Sequence, residues 1–199
     1  GGVRITTVFA DLETGGLAPY HPDIQIAALA IGEGWRELGT FEAKIQFDEA
    51  AGEAEALAQN SYDRDLWEKE AVREEQAVEA FAAFLRRFAV IPMVSARGRA
   101  YSLARLAGHN MAGFDAPRLK RMFERHNAFL PAEVYRPLDT QQLALWSFTA
   151  RGRPVENYKL GTLCRELGVE LPAEAAHDAL TDVRATVEVA RRLLGTWAE

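Results

Sequence analysis

Val8-Phe9-Ala10-Asp11-Leu12-Glu13-Thr14-Gly15-Gly16-Leu17 reads as the end of a β-strand that carries two acids. The residues before it, Val3-Arg4-Ile5-Thr6-Thr7, are rich in β-branched side chains and extend the strand backwards. Side chains two apart on a strand share a face, so Asp11 and Glu13 project together while Leu12 turns away. Two carboxylates on one face repel each other unless a cation sits between them. Gly15-Gly16 ends the strand and lets the backbone come close to a ligand. Taken alone, the stretch is equally an acidic strand end followed by a turn.

Working outward, Ala18-Pro19-Tyr20-His21-Pro22-Asp23 is a loop punctuated by two prolines, with His21 expected at its surface without partners. Ile24 to Gly32 is an apolar second strand, Gly32-Glu33-Gly34 a hairpin turn and Trp35 to Ile45 a third strand. An antiparallel N-terminal meander follows. Residues 48–80 are acidic and alanine-rich, with a short helix expected at Ala50 to Gln59 and a break at Asn60-Ser61-Tyr62-Asp63. Asp63, Asp65, Glu68 and Glu70 read as a solvated face. Glu74 to Phe88 is an amphipathic helix, with Val78, Phe81, Leu85 and Phe88 at helical spacing. Residues 93–101 read as an inserted loop or hairpin whose Arg97 and Arg99 are candidates for a substrate backbone. Leu103 to Gly108 is a further strand. Helices are expected from Asp115 to Asn127, Gln141 to Ala150, Leu160 to Leu167, and from Asp178 or Thr181 to Trp197, the last with Val183, Val187, Ala190 and Leu194 as its core stripe. A short strand end is expected at Arg136 to Thr140.

Two more stretches change the reading of the first. Residues 108–119 run Gly108-His109-Asn110-Met111-Ala112-Gly113-Phe114-Asp115-Ala116-Pro117-Arg118-Leu119, and residues 177–186 run His177-Asp178-Ala179-Leu180-Thr181-Asp182-Val183-Arg184-Ala185-Thr186. With D-x-E at residues 11–13, the chain resembles the DEDD superfamily of 3′–5′ exonucleases, the DnaQ-like group. That family has D-x-E, a central H-N-x-x-F-D type motif and a C-terminal H-x-x-x-x-D in this order. The resemblance covers residues 3 to about 194. It implies an α/β fold: one RNase H-like exonuclease domain over residues 1–199, with a mixed central sheet, an antiparallel N-terminal meander and flanking helices.

The resemblance also implies a site. Asp11, Glu13, Asp115 and Asp182 would be the metal ligands, with Asp11 bridging two ions, Glu13 and Asp182 completing one and Asp115 holding the other. Four carboxylates supply only oxygen, which favours Mg²⁺ or Mn²⁺ over zinc, and two such ions suit phosphodiester hydrolysis. Each acid alone is weak evidence, since Asp115 and Asp178 also suit helix caps. His177 stands five residues before Asp182, which fits the histidine branch of the family. A neutral imidazole takes up a proton near neutral pH, so His177 is the candidate general base. Thr14, Gly15, Gly16 and Leu17 would line the pocket for the 3′-terminal nucleotide, Asn110 would brace the local turn or touch substrate, and Phe114 would stack or pack.

Composition sets outer bounds. The formal net charge of −6 is unevenly spread: residues 1–80 carry 6 Lys+Arg against 17 Asp+Glu, and residues 81–199 carry 17 against 12. Arginines and lysines such as Arg86, Arg87, Arg105, Arg118, Lys120, Arg121, Arg125, Arg136, Arg151 and Arg153 therefore permit a phosphate-binding face on an acidic chain. No apolar run is long enough for a membrane span. The single cysteine, Cys164, falls in an apolar pattern and fits the core of a cytoplasmic protein. The expected substrate is a single-stranded 3′ end, DNA before RNA, with nucleoside monophosphate as product. An exoribonuclease and a noncatalytic nucleic-acid-binding module are the alternatives. A polymerase or a second copy are the expected partners, in a repair, trimming or proofreading role. Trp35, Trp67, Trp146 and Trp197 are expected mostly buried.

Overall fold

The computed structural model describes residues 5–171 and 178–195. A twisted mixed sheet runs in the order β3-β2-β1-β5-β4, with a short β6 beside β5. Its strands are β1 (Thr7–Thr14), β2 (Asp23–Ile31), β3 (Glu37–Lys44), β4 (Ala89–Val94), β5 (Ala100–Gly108) and β6 (Leu138–Asp139). β1, β2 and β3 form the antiparallel meander, in register Phe9↔Leu29 and Leu29↔Thr40. β5 lies parallel to β1, with Thr7 opposite Arg105 and Phe9 opposite Ala107, and that ladder stops there. β1 begins at Thr7, so Ile5 and Thr6 do not extend it as their branched side chains suggested. Among the described residues no strand pairs with Ile5, which stays exposed.

The two faces of β1 enter two cores, as its period of two requires. Val8, Ala10 and Leu12 pack against α3 (Glu74–Arg87) and α4 (Ala116–Arg125) through Phe81, Leu85, Leu119 and Met122. Phe9 packs against α7 (Ala179–Gly195) through Val183, Val187 and Ala190. On its other side α7 meets α5 (Thr140–Ala150) and α6 (Leu160–Leu167), where Cys164 is buried beside Ala144, Phe148 and Val189. Leu193 rather than Leu194 closes the α7 stripe, and Leu194 faces outward. At 100° per residue two successive leucines both sit near the stripe, and packing on α5 selects one.

A smaller cluster of Ile24, Leu57 and Trp67 fastens α1 (Ala54–Gln59) and α2 (Arg64–Glu70) to the end of β2. α2 was not apparent in the charge-rich sequence. Asp63 caps it by accepting from Leu66 N at 2.9 Å, and buried Trp67 donates from Nε1 to Ile24 O at 3.2 Å. Asp65, Glu68 and Glu70 are exposed. Residues 93–101 are a hairpin, β4 returning through the 95–99 turn into β5. β5 is nine residues long, so at ~3.3 Å per residue the turn stands roughly 30 Å from the Gly108 end. Among the described residues no helix is long and apolar enough to cross a membrane. Trp67 is buried and Trp35 half-buried, but Trp146 is 70 % exposed on the outer side of α5. Trp197 lies outside the described residues.

Candidate active site

The site forms where β1 and β5 part. Beyond Phe9 and Ala107 the parallel ladder ends, and β5 turns away through His109 and Asn110. Asn110 adopts the left-handed conformation (φ 54°, ψ 33°) that opens a single wide helical turn, Met111–Asp115, leading into α4. The amide that the ladder no longer serves is taken by a side chain: Leu12 N donates to Asp115 Oδ2 at 2.9 Å. Asp115 is buried. Burial first, then the charge of Asp11, holds its carboxyl well above the ordinary carboxylate range, against the lowering effect of the Leu12 amide.

On the face of β1 that Asp11 and Glu13 share, ligand oxygens of Asp11, Glu13 and Asp182 all lie within 4.8 Å of one another. Asp182 comes from the first turn of α7, whose packing on Phe9 sets its position. Glu13 is buried, and its carboxyl is pushed up to about 11 by burial and then by Asp11, which also hydrogen-bonds it; Asp182 and Asp115 add to the rise. Three acids and a fourth within electrostatic reach suit a divalent cation, whose charge would reverse that rise. The all-oxygen donor set suits Mg²⁺ or Mn²⁺. His177 lies outside the described residues.

Two cavities open beside the cluster. The smaller, about 320 Å³, is lined by Glu13, Thr14, Gly16, Leu17, Glu53, Glu55, Gln59, Asn60 and Phe114 among others. The larger, about 750 Å³, is lined by Asp11, Glu13, Asp182, His109, Asn157, Lys159, Thr162 and Arg165 among others. Glu13, Leu17 and Gln59 belong to both and form the ridge between them. Thr14, Gly16, Leu17 and Phe114 thus stand at the smaller cavity, with Leu17 84 % exposed at its lip. Gly15 and Asn110 sit behind the walls. Gly15 is hydrogen-bonded to Pro22 O and Glu53 N, and Asn110 donates its backbone N to Asp139.

The lip is built from residues the sequence did not single out. His21 is buried, contrary to the expectation of a surface loop residue. Its Nδ1 accepts from Ala18 N at 3.0 Å, so its Nε2 carries the proton and faces Glu53 Oε1 at 3.2 Å. The ring fills the space beside Gly16, where any Cβ would overlap it. Arg118, 3 % exposed, donates to Asp23 Oδ1 at 2.7 Å, Ala18 O at 3.0 Å and His21 O at 2.8 Å. Its guanidinium carbon lies 5.0 Å from the centre of the Phe114 ring. Arg118 therefore serves the interior and is not part of an exposed phosphate-binding face. Asn60 Nδ2 donates to Thr14 O at 2.7 Å, tying α1 to the strand end.

A second brace stands behind the Asp115 turn. Asp139 accepts from Asn110 N, Ala112 N and Gln141 N at 2.9–3.0 Å. His109 places Nε2 2.7 Å from Tyr158 O and Nδ1 2.8 Å from Thr140 Oγ1. Nε2 must donate to the carbonyl, leaving Nδ1 to accept, and burial keeps this imidazole below its ordinary pKa. Asn110, expected from the central motif to brace the local turn or touch substrate, joins this brace through its backbone amide, and an acid just before a helix start, as at Asp139, is a further signal in the sequence. Arg97 and Arg99 line neither cavity.

The sequence pattern of the exonuclease family RNase_T matches residues 8–190. No curated protein matches the chain. Several solved structures share its fold. A structure of exonuclease I superposes with TM-score 0.73 at 19 % identity, covering 97 % of this chain and 41 % of that one. E. coli exonuclease I in complex with a dT13 oligonucleotide gives TM-score 0.73 at 18 % identity, with the same coverage. The zinc-bound E. coli exonuclease I–ssDNA complex gives TM-score 0.72 at 18 % identity, covering 98 % of this chain and 41 % of that one. The present chain thus spans about 41 % of the length of these relatives.

Proposed function

The chain belongs to the RNase_T exonuclease family of the DEDD superfamily, and from that membership we propose that it is a metal-dependent 3′–5′ exonuclease. In this reading it releases nucleoside 5′-monophosphates from single-stranded 3′ ends, with DNA favoured over RNA. The observation that carries the reading is the meeting of Asp11, Glu13 and Asp182, from segments far apart in sequence, within 4.8 Å of one another beside buried Asp115. The DNA preference is supported by the exonuclease I relatives, which bind a dT13 oligonucleotide and single-stranded DNA.

Asp11, Glu13 and Asp182 would hold one divalent ion, and Asp11 with Asp115 a second. Bound ions supply charge neutralisation at the phosphate and ready ionisation of water near neutral pH. The protein supplies position. Asp115 is locked by the Leu12 amide, and Asp182 by the packing of α7. His177 accepts the proton of the attacking water, a role assigned from its place five residues before Asp182. Thr14, Gly16, Leu17 and Phe114 receive the terminal nucleoside, and Leu17 packs on its base. Reading a base by its face tolerates any sequence.

The test is digestion of 5′-labelled single-stranded DNA and RNA of matched sequence with Mg²⁺, Mn²⁺ or EDTA. The expected result is a metal-dependent ladder shortening from the 3′ end, faster on DNA. Asp11→Asn and His177→Ala should each slow it by on the order of 10²–10³-fold, the scale for losing a group that manages charge in the transition state. Full activity in EDTA, or shortening from the 5′ end, would overturn the proposal.

A further inference from the structure

We propose, building on the exonuclease reading, that Lys159 and Arg165 hold the phosphate backbone of the strand next to the carboxylate cluster. The two cavities share one ridge but differ in charge. Among the described residues no lysine or arginine lines the smaller cavity, whose polar side chains are acids, Thr14 and the amides Gln59 and Asn60. Such a lining suits a neutral nucleoside, with sugar hydroxyls and base edges to bond, and disfavours a phosphate. The larger cavity contains Asp11, Glu13 and Asp182 together with two cations, Lys159 and Arg165. A polyanion brought against three carboxylates needs positive charge beyond the metals, and these side chains border the same space.

Local structure keeps the two cations available. Asn157 Oδ1 accepts from Lys159 N at 3.0 Å and from Thr162 Oγ1 at 2.7 Å, fixing the start of α6. Lys159 is exposed and makes no ion pair among the described residues. Arg165, further along α6, is exposed too; it donates to Thr162 Oγ1 at 3.4 Å and stands 4.0 Å from exposed Glu156, long contacts that water readily replaces. No other lysine or arginine lines the larger cavity among the described residues; Arg118 is sealed against Asp23, and Arg97 and Arg99 sit at the far end of β5. The terminal nucleoside therefore enters the smaller cavity, and the phosphates that follow it leave along α6.

The experiment compares wild type with Lys159→Gln, Arg165→Gln and the double variant, by kcat and KM on a 3′-hydroxyl single strand in Mg²⁺. Anisotropy of the same strand in EDTA is measured in parallel. Both are followed from about 50 to 200 mM salt. Each substitution should raise KM more than it lowers kcat, and flatten the log–log salt slope by roughly 0.7 for each phosphate that is no longer neutralised. Lys159→Arg should restore the slope, and thermal melting should not move, because both side chains are exposed. An unchanged slope in the double variant, with wild type active, overturns this inference alone. A wild type that shortens no strand overturns the exonuclease reading and this inference together.

Discussion

Glu13 and Asp23 are both buried acids on neighbouring antiparallel strands, β1 and β2. Asp23 is met by two guanidiniums, Arg118 at 2.7 Å and Arg125 at 3.2 Å. The strongest influences on Glu13 are burial and three more acids. One acid is answered inside the fold and serves it as a tie between β2, α4 and the 15–22 loop. The other is placed so that its charge has to be answered from outside. Burial alone does not mark a functional carboxylate; the sign of its neighbours does.

The largest expected effect breaks the answered acid. Arg118→Met should cost on the order of 3–5 kcal/mol of stability, because it removes one partner of a buried pair and strands the other. Replacing both, as Arg118→Met with Asp23→Leu, should recover part of that loss. Denaturant melts of the three proteins check this, and an unaffected Arg118→Met would mean that Arg125 alone suffices.

The next effect concerns the unanswered acid. A cation that binds only the folded state at a hundredfold over its Kd adds about 2.7 kcal/mol. Mg²⁺ or Mn²⁺ should thus raise the melting temperature of the wild type. Asp182→Asn should lose most of the rise, and a change at Asp23 should not. Equal rises in both variants would remove the distinction between the two acids.

The last effect is a slope with pH, the smallest of the three when read over a single pH unit. Unfolded, Glu13 gives up its proton near the ordinary value of 4.5; folded and without a cation, it keeps it up to about 11. In that window the native state binds more protons than the unfolded one, so metal-free stability falls as pH rises. The limit is about 1.4 kcal/mol per pH unit for one proton. Glu13→Gln, or a divalent ion, should flatten the fall. A metal-free wild type with no slope between about pH 5 and 9 would contradict the burial of this charge.

Much of this was legible in the sequence. Period-two alternation placed Asp11 and Glu13 on one face of β1, and the three motifs located Asp115 and Asp182 on the helices that bring them in. What was hidden depends on partners remote in the chain. Arg118 finds Asp23 across 95 positions, and Asn60 finds Thr14 across 46. His21 looked like a loop residue because what holds it is Gly16 beside its ring, Glu53 facing Nε2 and the Arg118 guanidinium bonded to its carbonyl, none of which leaves a local period. α2 was obscured because a short charged helix gains its stability from Trp67 rather than from its own propensity.

Asp11 and Asp182 stand 171 positions apart. Of the described elements, β1 leaves the ribosome first and α7 last. Whatever the four carboxylates do together, they cannot begin until α7 has docked on Phe9. A half-made copy, or one cut short before residue 182, would carry the first acids and the lip but not the full quartet. The order of synthesis thus makes the complete acid set one of the last features of the described fold to form.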